Sequence, residues 1–384
     1  MDPTRARAGL LQPEIEVDLG AIAANVATLR AGTGRAEVMA VVKADGYGHG
    51  LVPSGRAALA GGASWLGVAT IEEALALRAG GLRGRTLAWL VPPGAPWQAA
   101  VEADVDLSAS AIWAVAEIAA AARAAARPAR VHLKIDTGLG RGGAMAADWS
   151  ALVDAALALQ ADGVLQVVGL WSHLAHADAP GHPTTGDQIA RFVDGVARAE
   201  HAGVRPEVRH LANSAAALTL PAAHFDLVRP GIAVYGISPI PAVSSAELGL
   251  VPAMTVRAPV SHVKRVPAGH GVSYGHQYTT SRETSLAVIP LGYADGVPRH
   301  ASGTGPVLLG GTWRSVAGRV CMDQFVVDAG DDVVEPGDEA VLFGPGRHGE
   351  PLAEDWAQAS GTIAYDIVAR MGGRAVRRYT GDAA

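Results

Sequence analysis

The sequence predicts an α/β fold: an N-terminal (β/α)8 barrel of the TIM type, followed by a mostly β C-terminal domain. Two observations carry this. Eight short apolar runs alternate with Ala/Leu-rich stretches of helical period between about residues 37 and 230. After about residue 246 the texture changes to closely spaced β-type runs broken by Gly, Pro and Asp.

The eight runs are VMAVVKA (38–44), WLGVA (65–69), TLAWLV (86–91), VDLSA (105–109), RVHLKID (130–136), LQVVGLWSH (165–173), VRHLANS (208–214) and DLVRP (226–230). Continuously apolar strands separated by helices indicate a parallel sheet buried on both faces. Eight such units favour a closed barrel over a doubly wound open sheet. The intervening stretches carry helix signals. TIEEALALRAGG opens on Thr70 with Glu73 three residues on, a capping box, and ends on glycine. The second domain is read from MTVRAPVSHVKRV, TSLAVIPLGY, GPVLLGGTWRSVAGRV, DQFVVDAG and DEAVLFG, with LAEDWAQASGTIAYDIVARMGG as one helical insertion. The expected domains are 14–245 and 246–384, with residues 1–13 packing on the second. PEIEVDL (13–19) either starts the first barrel helix or pairs with the C-terminal domain.

Composition narrows the function classes. Of 384 residues, 49% are hydrophobic, enough for a sizeable core. The net charge of −6, without long like-charge runs, argues against nucleic acid as a partner. A single cysteine, Cys321, excludes an intrachain disulfide and favours a reducing compartment. The N-terminus carries arginines but no apolar h-region, and charges break the apolar runs short of membrane-spanning length. A cytoplasmic protein without a membrane segment is expected. No His/Cys cluster has zinc spacing, so no transition-metal site is expected.

In a barrel enzyme, polar side chains at the carboxyl ends of strands read as site residues. Lys43 ends the first barrel run, Lys134, Asp136 and Arg141 follow the fifth, and His173 ends the sixth. Asn213 and Ser214 end the seventh, and Arg229 ends the eighth, before Pro230 and Gly231. Each alone has an ordinary reading: a snorkelling lysine, a structural histidine, a helix cap, a turn. Their convergence on one rim shifts the balance. A lysine in a partly apolar site loses its charge more readily and can condense with a carbonyl. Ser214 and the N–H groups after Gly231 lie on the loops that commonly bind phosphate in this fold. The pair suggests pyridoxal phosphate, or alternatively a sugar-phosphate aldolase.

AVVKADGYGHG, LKIDTGLGRGG, HLANSAA, VRPGIAVYG, VSYG, PLGYADGVPR, GRVCMDQ and TIAYDI, in this order, resemble the bacterial alanine racemases over all but the N-terminal dozen residues. The resemblance implies racemisation of L- and D-alanine for peptidoglycan, with pyridoxal 5'-phosphate, in a homodimer with shared active sites. Lys43 would hold the cofactor and act as one base; Tyr274, from the partner subunit, would be the other. Two bases answer a geometric need, because inversion requires the proton to return on the opposite face. An ordinary tyrosine has a pKa of roughly 10, and His173, placed by the family between Tyr274 and Arg229, would assist it.

Arg229 would hydrogen-bond the pyridine nitrogen, where a guanidinium gives up no proton and leaves a weaker electron sink. Arg141 would contact the substrate carboxylate, and Lys134 matches a position carbamylated in many relatives to orient that arginine. Tyr47, Ser214, Tyr365 and the backbone of Gly231 and Ile232 would hold the phosphate, with Trp89, His173 and Asn213 completing the cofactor's surroundings. Met322 of the partner would meet the substrate carboxylate. Tyr274, Tyr293, Asp323 and Tyr365 would line the entrance. Cys321 is read as having no nucleophilic role. The alternatives are a broader amino-acid or serine racemase, a decarboxylase of basic amino acids, and a cofactor carrier without turnover. The VSYG tyrosine and Arg229 speak against the decarboxylase, and the second domain speaks against the carrier.

Overall fold

The computed structural model describes residues 10–381. They form two compact units: Gly20–Val251, and the segment up to Leu19 together with the residues from Pro252 onward. The first strand, β1 (Glu14–Asp18), belongs to the second unit.

Gly20–Val251 is the barrel. Its strands are β2 (Glu37–Val41), β3 (Trp65–Val68), β4 (Arg85–Ala88), β5 (Asp106–Ala109), β6 (Ala129–Lys134), β7 (Leu165–Trp171), β8 (Val208–His210) and β9 (Leu227–Val228). They run parallel in the order β8-β7-β6-β5-β4-β3-β2-β9. Between β8 and β9 the seam is drawn together by Asp226 N–H donating to the Arg209 carbonyl (3.0 Å) and Arg229 N–H to that of Ala212 (2.9 Å). All eight expected runs form strands, most of them a few residues shorter at the carboxyl end. The reason is local: Trp89 and Leu90 N–H both turn onto the Ala69 carbonyl, so the chain leaves the ladder there. Strands such as Trp65–Val68 are buried along their whole length, the pattern of a sheet covered on both faces. The covering helices bury one stripe each. In Ile112–Ala124 the inward set includes Val115, Ile118, Ala119 and Ala122, at helical spacing.

The second unit is built on a six-stranded sheet. It contains β1, β10 (Met254–Pro259), β11 (Pro306–Leu309), β12 (Thr312–Ser315), β13 (Glu339–Phe343) and β14 (Val376–Thr380), in the order β12-β11-β13-β10-β1-β14. A three-stranded sheet places Thr284–Ile289 between His262–Val266 and Phe325–Gly330. PEIEVDL therefore splits its two readings. Glu14–Asp18 pairs antiparallel with β10 and parallel with β14, and a helix begins at Leu19. Alternation decides this: Ile15 and Val17 are fully buried. Of the residues expected to pack on this unit, 1–9 lie outside the described residues, while the Pro13 carbonyl accepts from Val376 N–H. The expected single helical insertion is two helices, Ala353–Ser360 and Ala364–Arg370, because Gly361 turns left-handed (φ 67°) and stops the first. No helix among the described residues is long and apolar enough to cross a membrane.

Candidate functional site

The carboxyl rim of the barrel begins at Lys43, two residues past β2. The next four residues, Ala44, Asp45, Gly46 and Tyr47, all have φ between 52° and 63°, a single left-handed turn. L-residues avoid this conformation at roughly 1–2 kcal/mol each, so the turn must be held from outside. Glu73 does much of the holding. Its Oε1 accepts from Ala44 N–H (2.7 Å) and its Oε2 from Ala69 and Thr70 N–H. The expected capping box is present, and its glutamate also clamps the lysine loop. Asp45 Oδ1 accepts from Leu51 N–H (2.8 Å) and ties the far end. Glu73→Ala removes a cap and leaves Ala44 N–H unpartnered. It is expected to cost about 1–3 kcal/mol, read as a lower urea midpoint.

Lys43 is half-buried. Burial lowers its pKa, helped by Arg141 and opposed by Glu73. Lys134, at the end of β6, lies 4.4 Å from the centre of the Trp171 ring. Burial, then Arg229 and Arg141, hold it down to about 8 against the pull of Asp136. Its ordinary value is 10.5, so between about 8 and 10.5 the unfolded chain binds the extra proton. Stability is expected to rise with pH across that window. Lys134→Met should flatten the rise in denaturation midpoints measured over the same range.

Arg141 rides on a loop closed by two backbone bonds, Asp136 N–H to the Ala144 carbonyl and Ala144 N–H to that of Lys134. Asp136 Oδ1 accepts from the N–H groups of Gly138, Leu139 and Gly140. Arg229 is buried (4% exposed). Its Nη2 donates to the carbonyls of Ser172 (2.8 Å) and Leu211 (3.2 Å) and meets His173 Nδ1 at 3.2 Å. Burial lowers Arg229 to about 9, which leaves the guanidinium charged at neutral pH. His173 is pushed well below its ordinary value by burial, then by Arg229, Arg141, Lys134 and Lys43. A neutral His173 accepts from Arg229 at Nδ1 and so keeps its proton on Nε2.

A cradle of uncharged groups completes the rim. Ser214 Oγ accepts from Gly231 N–H (2.8 Å) and Ala233 N–H (3.4 Å), where the helical turn Ile232–Tyr235 begins. The Tyr47 hydroxyl lies so close to Gly231 that any Cβ there would overlap it. Asn213 caps the helix Ser214–Thr219 by accepting from Ala216 N–H. Trp89 packs against the core at Met39, Trp65 and Leu87, with its ring 6.1 Å from that of Trp171.

The remaining expected residues belong to the second unit. Tyr274, Tyr293, Met322 and Asp323, with Cys321, line one cleft of about 630 Å³. Tyr274 is 70% exposed and Met322 53%. Two loops meet in this cleft because Tyr293 and Ala294 N–H donate to the carbonyls of Cys321 and Met322. Arg374 braces them, donating to Asp295 and, at 2.6 Å, to Asp323. Tyr365 is half-buried on the helix Ala364–Arg370. The sequence places Asp136 on the rim and Glu73 in a capping box, but marks neither of them, nor Arg374, as a positioning group. An acidic residue in a capping box or after a strand carries no mark of the loop it will hold. No group of three or more His, Cys, Asp or Glu among the described residues could hold a metal.

Both the sequence and the fold match known proteins. The family model "Alanine racemase, N-terminal domain" matches residues 17–239, and "Alanine racemase, C-terminal domain" matches 253–379. The chain is 60% identical to the alanine racemase of Streptomyces coelicolor over 391 residues, covering all of both. It superposes on the crystal structure of alanine racemase from D-cycloserine-producing Streptomyces lavendulae with a TM-score of 0.96 and 60% identity, covering 97% of each chain. It matches the Bacillus anthracis alanine racemase with bound L-Ala-P at a TM-score of 0.87 and 32% identity, covering 97% and 96%. With both domains matched, in order and at this identity, the chain belongs to the alanine racemase family and is an isomerase.

Proposed function

We propose that the chain interconverts L-alanine and D-alanine with pyridoxal phosphate held at the barrel rim, by a base on each face of the substrate. The observation that carries this is the rim itself. A lysine with lowered pKa, a buried guanidinium and a hydroxyl held among backbone N–H groups lie at the carboxyl ends of the strands. The residues present fit the cofactor. Lys43 would bind its aldehyde. Tyr47, Ser214 and the N–H groups of Gly231 and Ile232 would hold its phosphate, with Tyr365 as a further contact. Arg229 would face its ring nitrogen, flanked by Trp89, His173 and Asn213. When bound, pyridoxal phosphate supplies an electron sink that acidifies the α-proton.

The chain's own groups then move the proton. Lys43, eased toward its neutral form by burial and Arg141, takes or returns it on one face. Tyr274 serves the other face from a second copy of the chain. Its exposure beside Met322 and Tyr293 makes an aromatic and apolar patch of the kind that a partner covers. The Nε2–H of neutral His173 is a donor suited to a phenolic oxygen, and His173 would assist Tyr274 in that way. Arg141 binds the substrate carboxylate as a fixed cation. Lys134, near 8, offers more free amine than an ordinary lysine, as carbamylation requires. Tyr293 and Asp323, with Tyr365, narrow the entrance, and Met322 of the second copy contacts the carboxylate. The D-alanine would supply peptidoglycan inside the cell.

The deciding experiment uses L-alanine in heavy water with purified protein and pyridoxal phosphate. D-alanine carrying deuterium at the α-carbon is expected. A protein that binds the cofactor yet makes none would overturn the reading.

A further inference from the structure

Barrel cores of this kind are ordinarily filled with layers of Val, Ile and Leu. Here a line of polar side chains runs through the interior from the amino ends of the strands to Arg229. Arg229 Nη1 meets His210 Nδ1 at 3.1 Å. His210 Nε2 meets His132 Nδ1 at 2.9 Å. His132 Nε2 meets Asp106 Oδ2 at 3.2 Å. Both imidazoles are fully buried and Asp106 is 3% exposed.

The ends of this line dictate its middle. A guanidinium only donates and a carboxylate only accepts. His210 Nδ1 must therefore accept from Arg229, which puts the proton of a neutral ring on Nε2. That proton is donated to His132 Nδ1, so His132 also carries its proton on Nε2 and donates it to Asp106. Protonating either ring sets two N–H groups against each other somewhere in the line. Burial first, then Arg229 and His132, push His210 well below its ordinary pKa, in keeping with a neutral ring.

The surroundings are shaped for this line. Gly169 of β7 lies beside His132, and a Cβ there would overlap the imidazole. The Trp171 ring stacks on His210 at 5.5 Å and 6°, and Trp65 meets His132 edge-on at 5.6 Å. At the outer end Arg130 Nε donates to Asp106 Oδ1 at 2.9 Å, and Arg85 lies 3.6 Å from Oδ2. Glu207 pairs with both arginines. Every member has a partner, the condition under which a buried polar network is rigid rather than costly.

We propose that Asp106, His132 and His210 are positioning residues for Arg229. They form a proton-ordered relay that anchors its guanidinium from the opposite end of the barrel and fixes the direction of its remaining N–H groups. This rests on the reading that Arg229 faces the ring nitrogen of pyridoxal phosphate.

The test is nitrogen-15 NMR of histidine-labelled protein near neutral pH, with and without added pyridoxal phosphate. Both His132 and His210 are expected as neutral Nε2–H tautomers in both states. An Nδ1–H tautomer or a doubly protonated ring at either position would overturn the relay. Asp106→Asn supplies the functional arm, because it replaces the acceptor-only end by a group that also donates. At least a tenfold fall in kcat is expected, with the KM for alanine within threefold, cofactor still bound and the cofactor absorption altered. A folded variant with unchanged kcat and spectrum overturns the positioning role. Should this variant not fold, Gly169→Ala perturbs the same line by displacing His132, with the same expectation and the same overturning result. If the unsubstituted protein binds no cofactor, the reading of the site fails, while the tautomers are still decided on the protein alone.

Discussion

Replacing Lys43 by alanine is expected to give a folded, colourless protein without racemase activity. Lys43 sits on the rim rather than in the core, and the left-handed turn behind it is held by backbone groups of Ala44 and Leu51 on the Glu73 and Asp45 carboxylates. None of those bonds uses the lysine side chain, so the fold survives its removal. On the proposed reading, what goes with the side chain is both the cofactor's point of attachment and one of the two bases. A general base alone is worth roughly 10²–10⁴ in rate, and the loss of attachment adds to this. Absorbance of the purified protein after incubation with pyridoxal phosphate and chiral analysis of alanine check the two effects separately. A yellow, active Lys43→Ala protein would move the cofactor lysine elsewhere, with Lys134 the first position to examine.

Tyr274→Phe should have the opposite signature. The protein stays yellow, because the substitution removes one hydroxyl from a side chain that is 70% exposed on the second unit. Turnover should fall by roughly 10²–10⁴-fold. The finer outcome is stereochemical. With Lys43 intact, one face of the substrate can still give up and regain its proton. One enantiomer should then exchange its α-hydrogen with heavy water while inversion stops. Proton NMR of each enantiomer incubated separately reads this directly. Full racemisation by Tyr274→Phe would sink the two-base assignment, and loss of exchange in both enantiomers would show that the tyrosine acts by binding instead.

The barrel was legible because its strands are buried on both faces and read as unbroken apolar runs, which need no partner to be recognised. The rim was legible for a related reason. A lysine, a histidine or an arginine closing such a run stands out against its own neighbours, as Lys43, His173 and Arg229 do. The helical insertion near residue 361 shows the limit. LAEDWAQASGTIAYDI has helical composition on both sides, and only the left-handed backbone at Gly361 divides it. PEIEVDL shows another. Its alternation fits a strand, but whether that strand has partners depends on chain more than 200 residues away.

Strand period and strand ends are local properties, so the residues that could do chemistry, and their order along the rim, can be read from the chain alone. What holds them there is supplied by groups that are distant along the chain. Glu73 reaches back 29 residues to the lysine loop. Asp106, His132 and His210 come from three different strands, and their order of donors and acceptors exists only once the barrel has brought those strands together. A hydrogen bond needs its partners within about 3 Å and in line, and no pattern along the chain encodes that distance until the chain has closed on itself.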